Sequence, residues 1–148
     1  MKKVLFFILI FVFLFAVALS AYNKVNNEKD AIKKAIVEGY IEGVITKGDA
    51  EMVKKGWHED CEIVVFKNGK LQKVDVKYWI DRFEKNPGPY APNTKVKYEF
   101  EDIKVTGYAA IVALKVFYNG KQKYTDYMNL YKFEEGWKVA TKTFYTHF

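Results

Sequence analysis

Apolar residues in the first half of the chain recur at three- and four-residue steps, whereas in the second half they alternate. Ile32, Ala35, Ile36, Tyr40 and Val44 form one helical stripe. It predicts a helix capped by Asn27 and ending near Lys47-Gly48, where glycine accepts the left-handed conformation. Asp49 is placed to cap a short second helix from Ala50 to about Trp57, burying Met52 or Val53 and Trp57. Asp75 is placed to cap a third, carrying Tyr78, Trp79, Ile80 and Phe83, which the proline-rich loop Asn86–Asn93 stops. Between the last two helices, Cys61–Phe66 and Leu71–Val74 flank Asn68-Gly69, a strong hairpin signal.

From Thr94 onward the alternation puts Val96, Tyr98 and Phe100 on one face. At Glu101-Asp102 it changes phase, so that Ile103 and Val105 become the apolar positions. One extra residue there, a bulge, restores the apolar face and bends the strand. Turns at Gly107, Asn119-Gly120 and Glu135-Gly136 then divide the rest into a four-strand antiparallel meander ending near His147. Helices first and one curved sheet after define an α+β domain with its helices on one face.

The extreme N-terminus follows another rule. Lys2 and Lys3 precede an unbroken apolar run from Val4 to Leu19, and small residues follow at Ala16, Ala18 and Ser20. That order is the order of a secretory signal peptide. Residues 1–21 are therefore expected to be a leader, 22–27 a short linker and 28–148 the domain. The protein is then secreted or periplasmic, with no membrane attachment after cleavage. The alternative is an uncleaved membrane anchor, because the run approaches the ~20 residues that span a bilayer.

Composition narrows the chemistry. The chain of 148 residues carries 24 Lys+Arg against 18 Asp+Glu, a net charge of +6. Arg82 is its single arginine, which argues against a guanidinium-rich phosphate surface and against nucleic acid as a partner. One cysteine, Cys61, excludes an intrachain disulfide and a Cys-rich zinc site; two histidines, His58 and His147, exclude a His₃ site. Neither a metal nor a cofactor is expected, since no phosphate-cradling loop, nucleophile elbow or dinucleotide fingerprint is present.

Several segments resemble the NTF2-like superfamily, in particular its bacterial, SnoaL-like, putative lumazine-binding branch. Gly48-Asp49-Ala50 follows a Tyr-containing first helix. His58 and Asp60 match a Phe-His-Pro-Asp-like element in which Glu59 replaces the proline. Asp126-Tyr127, Gly136-Trp137-Lys138-Val139 and Lys142 match the last hairpin. The resemblance spans about residues 28–147. It implies a cone: three N-terminal helices on a strongly curved, mainly antiparallel sheet, with a pocket inside its open end.

The site candidates follow from that frame. Asp126 lies in an apolar-aromatic strand and shares a face with Met128 and Leu130, so it faces the cone if they do. Relatives resembling polyketide cyclases and ketosteroid isomerases use an Asp or a Tyr on the concave surface to move a proton beside a carbonyl. An acid/base site would pair Asp126 with His58, and Tyr40 would donate to a developing oxyanion. The structural alternative has His58 capping the chain into the first strand, Asp126 bonded to a helix terminus or Lys142, and Tyr40 filling the core. For ligand binding, Trp57, Trp79, Tyr98, Phe100 and Met128 are the candidate pocket residues. They would hold a small, partly apolar, heteroaromatic molecule in a cavity of several hundred Å³ bordered by Trp79 and Asp126. Lys121, Lys123, Lys132, Lys138 and Lys142 read as a solvated strand face. His147 is expected to fray. Tyr127, Asn129 and Tyr131 would face outward, where the tyrosines suit a homodimer interface and a noncatalytic association role.

Overall fold

The computed structural model describes residues 19–20 and 22–148. The expected leader lies outside the described residues except for Leu19 and Ser20, which are helical and exposed. Residues 22–36 form the first helix, α1. Asn27 therefore sits inside a helix and not at its cap, and the expected linker is its first turns. From Val37 to Lys47 the same helix widens to π-helical geometry, in which each N–H reaches back five residues. The widening fits the burial: Gly39, Tyr40, Ile41, Gly43, Val44 and Ile45 are all inside, a broader stripe than an ordinary helix presents. Gly48, at φ 63°, ends the helix as expected and returns its N–H to the Gly43 carbonyl.

Helix α2 (Ala50–Gly56) is capped by Asp49, whose carboxylate accepts the Met52 N–H at 3.0 Å. It lies so close to α1 that a Cβ on Gly39 would stand 2.6 Å from the Gly56 Cα. Glycine is required at both positions. Helix α3 (Lys77–Lys85) begins after Val76, and Asp75 still accepts the Lys77 N–H at 2.8 Å. The proline-rich loop crosses the π-helical end of α1. There the Tyr90 and Ala91 N–H groups donate to the Val44 and Ile45 carbonyls, both at 3.2 Å. Acceptors that the widened helix leaves open are thus satisfied, as buried backbone groups must be.

Six strands form one sheet: β1 (Trp57–Lys67), β2 (Lys70–Asp75), β3 (Val96–Thr106), β4 (Ala109–Tyr118), β5 (Lys121–Phe133) and β6 (Gly136–Thr146). Their order is β2-β1-β6-β5-β4-β3, with β1 and β6 parallel and every other pair antiparallel. Trp57 begins β1 instead of ending α2. The expected bulge is present between Phe100 and Asp102, and further register shifts interrupt β4–β5, β5–β6 and β1–β6. Repeated bulges of this kind curl a sheet. The helices fill its concave side, so that Ile32, Ile36 and Val44 from α1 meet Leu114, Val116, Met128, Leu130 and Val139 from the sheet.

Candidate functional site

Asp126 is fully buried, with 0% of its surface exposed, and faces the cone beside Met128 and Leu130. Its partner is Lys142, 3% exposed, whose Nζ stands 2.8 Å from Oδ1. The pair is electrostatic and not well aligned: neither carboxylate oxygen has a properly directed hydrogen bond among the described residues. The well-formed bond runs from Lys142 Nζ to the Tyr40 hydroxyl, 2.6 Å away. Three aromatic rings surround the ammonium, with centroids at 4.0 Å (Tyr40), 4.8 Å (Phe144) and 6.0 Å (Tyr124), the range of cation–π attraction.

Lys142 reaches this position because β6 changes phase. Trp137 and Val139 point inward, Leu130 pairs with Val139 and Asn129 with Thr141, so Ala140 is one residue extra. Beyond it Lys142 and Phe144 point inward. The reading of Lys142 as a solvated strand lysine is thereby corrected. Burial pulls its amine below the ordinary lysine range, and the Asp126 charge opposes that. Burial, reinforced by the Asp126 charge, holds the Tyr40 phenol well above its usual range. Tyr118 and Tyr124 are raised as well, again mainly by burial.

A cavity adjoins this centre. Tyr40, Trp79, Tyr90, Tyr118, Tyr124, Lys142 and Phe144 line it together with Val44 and Ile45. Its volume is about 60 Å³, room for roughly two to four waters. The expectation of several hundred Å³ bordered by Asp126 is therefore corrected in two respects. Aromatic side chains fill most of the cone, and Asp126 stands behind Lys142, off the cavity wall. Trp79 and Tyr90, from α3 and the proline-rich loop, lie at the rim and are half-buried and exposed respectively. The Tyr118 hydroxyl is buried with no hydrogen-bond partner among the described residues.

The other candidates fall elsewhere. His58 does not meet Asp126. Its ring stacks on Phe133 at 4.8 Å, and its Nδ1 accepts the Asp60 N–H at 3.2 Å. Phe133 is seven residues from Asp126 along β5, about 23 Å at the rise of a strand. The Asp126–His58 pair is thus not assembled, and the capping role is the one seen. Trp57 is core: its Nε1 donates to the Gly39 carbonyl at 3.1 Å, and its ring meets Trp79 edge-on at 5.3 Å. Tyr98 and Phe100 touch each other on β3, with Tyr98 exposed, and neither lines the cavity. Met128 is buried in the core, also off the cavity wall. His147 is held in place, with its Nε2 2.9 Å from Thr125 Oγ1 and its N–H bonded to the Lys123 carbonyl. Cys61 is buried and free.

A larger cleft of about 550 Å³ lies between α1, α2 and the β5–β6 turn. Several of its polar groups are already spoken for: Glu28 accepts from Lys132 and from Trp137 Nε1, and Lys54 pairs with Glu51 and Glu84. Among the described residues, the unpartnered buried side-chain oxygens belong to the cone.

Residues 27–145 match the family described as putative lumazine-binding. Among solved structures, an NTF2-like protein of unknown function from Shewanella baltica is 23% identical. That likeness has a TM-score of 0.65 and covers 82% of this chain and 94% of that one. Another NTF2-like protein of unknown function, from Silicibacter pomeroyi, is 20% identical, again with a TM-score of 0.65, covering 82% and 98%. A curated relative, the aldolase FrzH of a Cladobotryum species, is 26% identical over 102 residues, 68% of this chain and 78% of the relative.

Proposed function

We propose, for a chain that belongs to the putative lumazine-binding family of NTF2-like domains, that the cone binds a small, partly apolar molecule at the Tyr40–Lys142–Asp126 centre. One observation carries the reading: the Tyr118 hydroxyl, on the wall of an aromatic-rimmed cavity, is shut from solvent without a hydrogen-bond partner among the described residues. An unpartnered buried polar group costs about 1–3 kcal/mol, which a ligand's polar groups would offset. The cavity accepts only the polar end of a heteroaromatic ligand. Its flat remainder lies among Trp79, Tyr90, Tyr124 and Phe144, with Trp79 and Tyr90 swinging outward to admit it.

Mass spectrometry of small molecules released from the purified protein, followed by thermal-shift measurements with pterins, flavins and aromatic polyketides, tests this. A ligand at a hundred times its Kd stabilises by about 2.7 kcal/mol, several degrees for a domain of this size. Tyr118→Phe and Trp79→Ala should reduce the shift. If no compound co-purifies or shifts the midpoint, the reading fails.

Catalysis is the second reading, favoured by the aldolase among the relatives. In it Tyr40, Lys142 and Asp126 move the protons, and His58 takes no part. Two further proposals concern context. The charged, apolar, small-residue order of residues 1–21 supports export to the periplasm or beyond, testable by N-terminal sequencing of the protein recovered from fractionated cells. Tyr127 and Tyr131, 55% and 53% exposed on the outer face, support a homodimer through the sheet. Its solution mass should depend on concentration and fall with Tyr127→Glu or Tyr131→Glu.

A further inference from the structure

The buried lysine has more than an ion pair's geometry. A purely structural pair has no need of an adjoining cavity, yet the Lys142 side chain forms part of the cavity wall while Asp126 stands behind it. Tyr40, on the same wall, accepts the lysine's hydrogen bond through its oxygen and retains its own proton, its phenol held above the usual range by burial and the nearby Asp126 carboxylate. An amine, a proton acceptor at 2.8 Å and a proton donor at 2.6 Å thus meet at a space suited to three or four heavy atoms.

We infer that Lys142 is a nucleophile that condenses with a small aldehyde or ketone in the cone, with Asp126 and Tyr40 handling the protons. The inference rests on the proposed binding function, since the carbonyl compound must enter the same cavity. The ammonium first passes a proton to the Asp126 carboxylate, leaving a neutral amine and a neutral acid. The amine lone pair attacks the carbonyl carbon, and the C=O π pair moves to oxygen, which takes the Tyr40 proton. The nitrogen returns a proton to the Tyr40 phenolate, giving a neutral carbinolamine. Tyr40 then protonates its hydroxyl and takes a proton in turn from the Asp126 acid, the C–O bond breaks, water leaves and the nitrogen lone pair forms C=N. One ammonium and one carbonyl have become one iminium and one water, with the Asp126 carboxylate restored as counter-ion. The Tyr40 and Phe144 rings, 4.0 and 4.8 Å from Nζ, suit the iminium cation. Desolvation, which already pulls the amine below the ordinary lysine range, is an established way to make lysine nucleophilic.

The test uses the full chain at pH 7 with acetaldehyde and limiting cyanoborohydride, followed by peptide mapping of N-ethyl lysines. Lys142 should be labelled at least about fivefold faster than the exposed Lys97 and Lys121. Tyr40→Phe should slow Lys142 about tenfold and leave those two internal references unchanged. Lys142 labelled no faster than the references overturns the inference, and a rate unaffected by Tyr40→Phe removes the assigned role of Tyr40. If Lys142 stays unlabelled while the ligand screen still gives Tyr118-dependent shifts, the nucleophile falls and the binding function stands. If both experiments are negative, both readings fall.

Discussion

Replacing Lys142 by Met leaves Asp126 as a carboxylate without a counter-charge in the cone. At 2.8 Å and an effective dielectric near 20, the gross attraction in the pair is about 6 kcal/mol. Desolvation costs several kcal/mol per ion, so the intact pair adds little net stability. The single substitution removes the attraction but not the desolvation of the carboxylate, and breaking a pair this deeply buried costs about 3–5 kcal/mol. The Tyr40 hydroxyl also loses its donor, about 1 kcal/mol more. Against a typical total of about 5–15 kcal/mol this is roughly a quarter of the stability or more. Combining Lys142→Met with Asp126→Leu removes both charges, and the double variant should return to within about 1 kcal/mol of the parent or exceed it. Urea unfolding followed by circular dichroism and tryptophan fluorescence measures all four corners of the cycle, with a constant m-value as the check on two-state behaviour. If Lys142→Met costs less than about 1 kcal/mol, Asp126 is not a buried charge held by the lysine and the account of the site fails.

Gly56→Ala places a Cβ 2.6 Å from both the Gly39 Cα and the Ala35 carbonyl oxygen, so it should destabilise by about 2–3 kcal/mol in the same assay. Cys61, its thiol pushed up to about 12 by burial, should resist a disulfide reagent at pH 8 in the folded state and react at once in urea. Its raised value, with those of Tyr40, Tyr118 and Tyr124, means that these groups contribute stability below their unfolded values and lose it as the pH rises through the folded ones. Lys142, lowered, acts in the opposite sense, its contribution being lost as the pH falls below the ordinary lysine value. Four groups against one predict a urea midpoint that falls from about pH 9 upward and falls less in Cys61→Ala; a midpoint that rises instead refutes the assignment.

Asp126 was legible because strict alternation along β5 ties it to Met128 and Leu130, and no irregularity lies between them. Lys142 was not, because one inserted residue at Ala140 reverses the facing of everything after it. The spacing of Val139 and Phe144, five residues apart, carried that signal in the same form as the phase change at Glu101-Asp102. Tyr40 was placed on the correct helix face, but the width of the π-helical segment is invisible to a stripe spaced at three and four residues. The fit of the resemblance to His58 and Asp60 put them just ahead of a strand starting at Cys61, whereas they lie at the start of β1, and it did not tell which strand β1 would join. The parallel pairing of β1 with β6, on which the separation of His58 from Asp126 depends, is a long-range contact with no local marker. Cavity volume was beyond the pattern altogether, since it depends on how far six aromatic side chains lean into the same space.

The strand order has a consequence for how the chain acquires its structure. The β1–β2 hairpin joins the rest of the sheet only through β6, the last strand to be synthesised. Until residues near Val139 are available, Trp57 and its neighbours have no edge on which to dock. In a nascent chain the β1–β2 hairpin therefore docks onto the sheet in a late step, after the β3–β4–β5 meander that precedes β6 has been made.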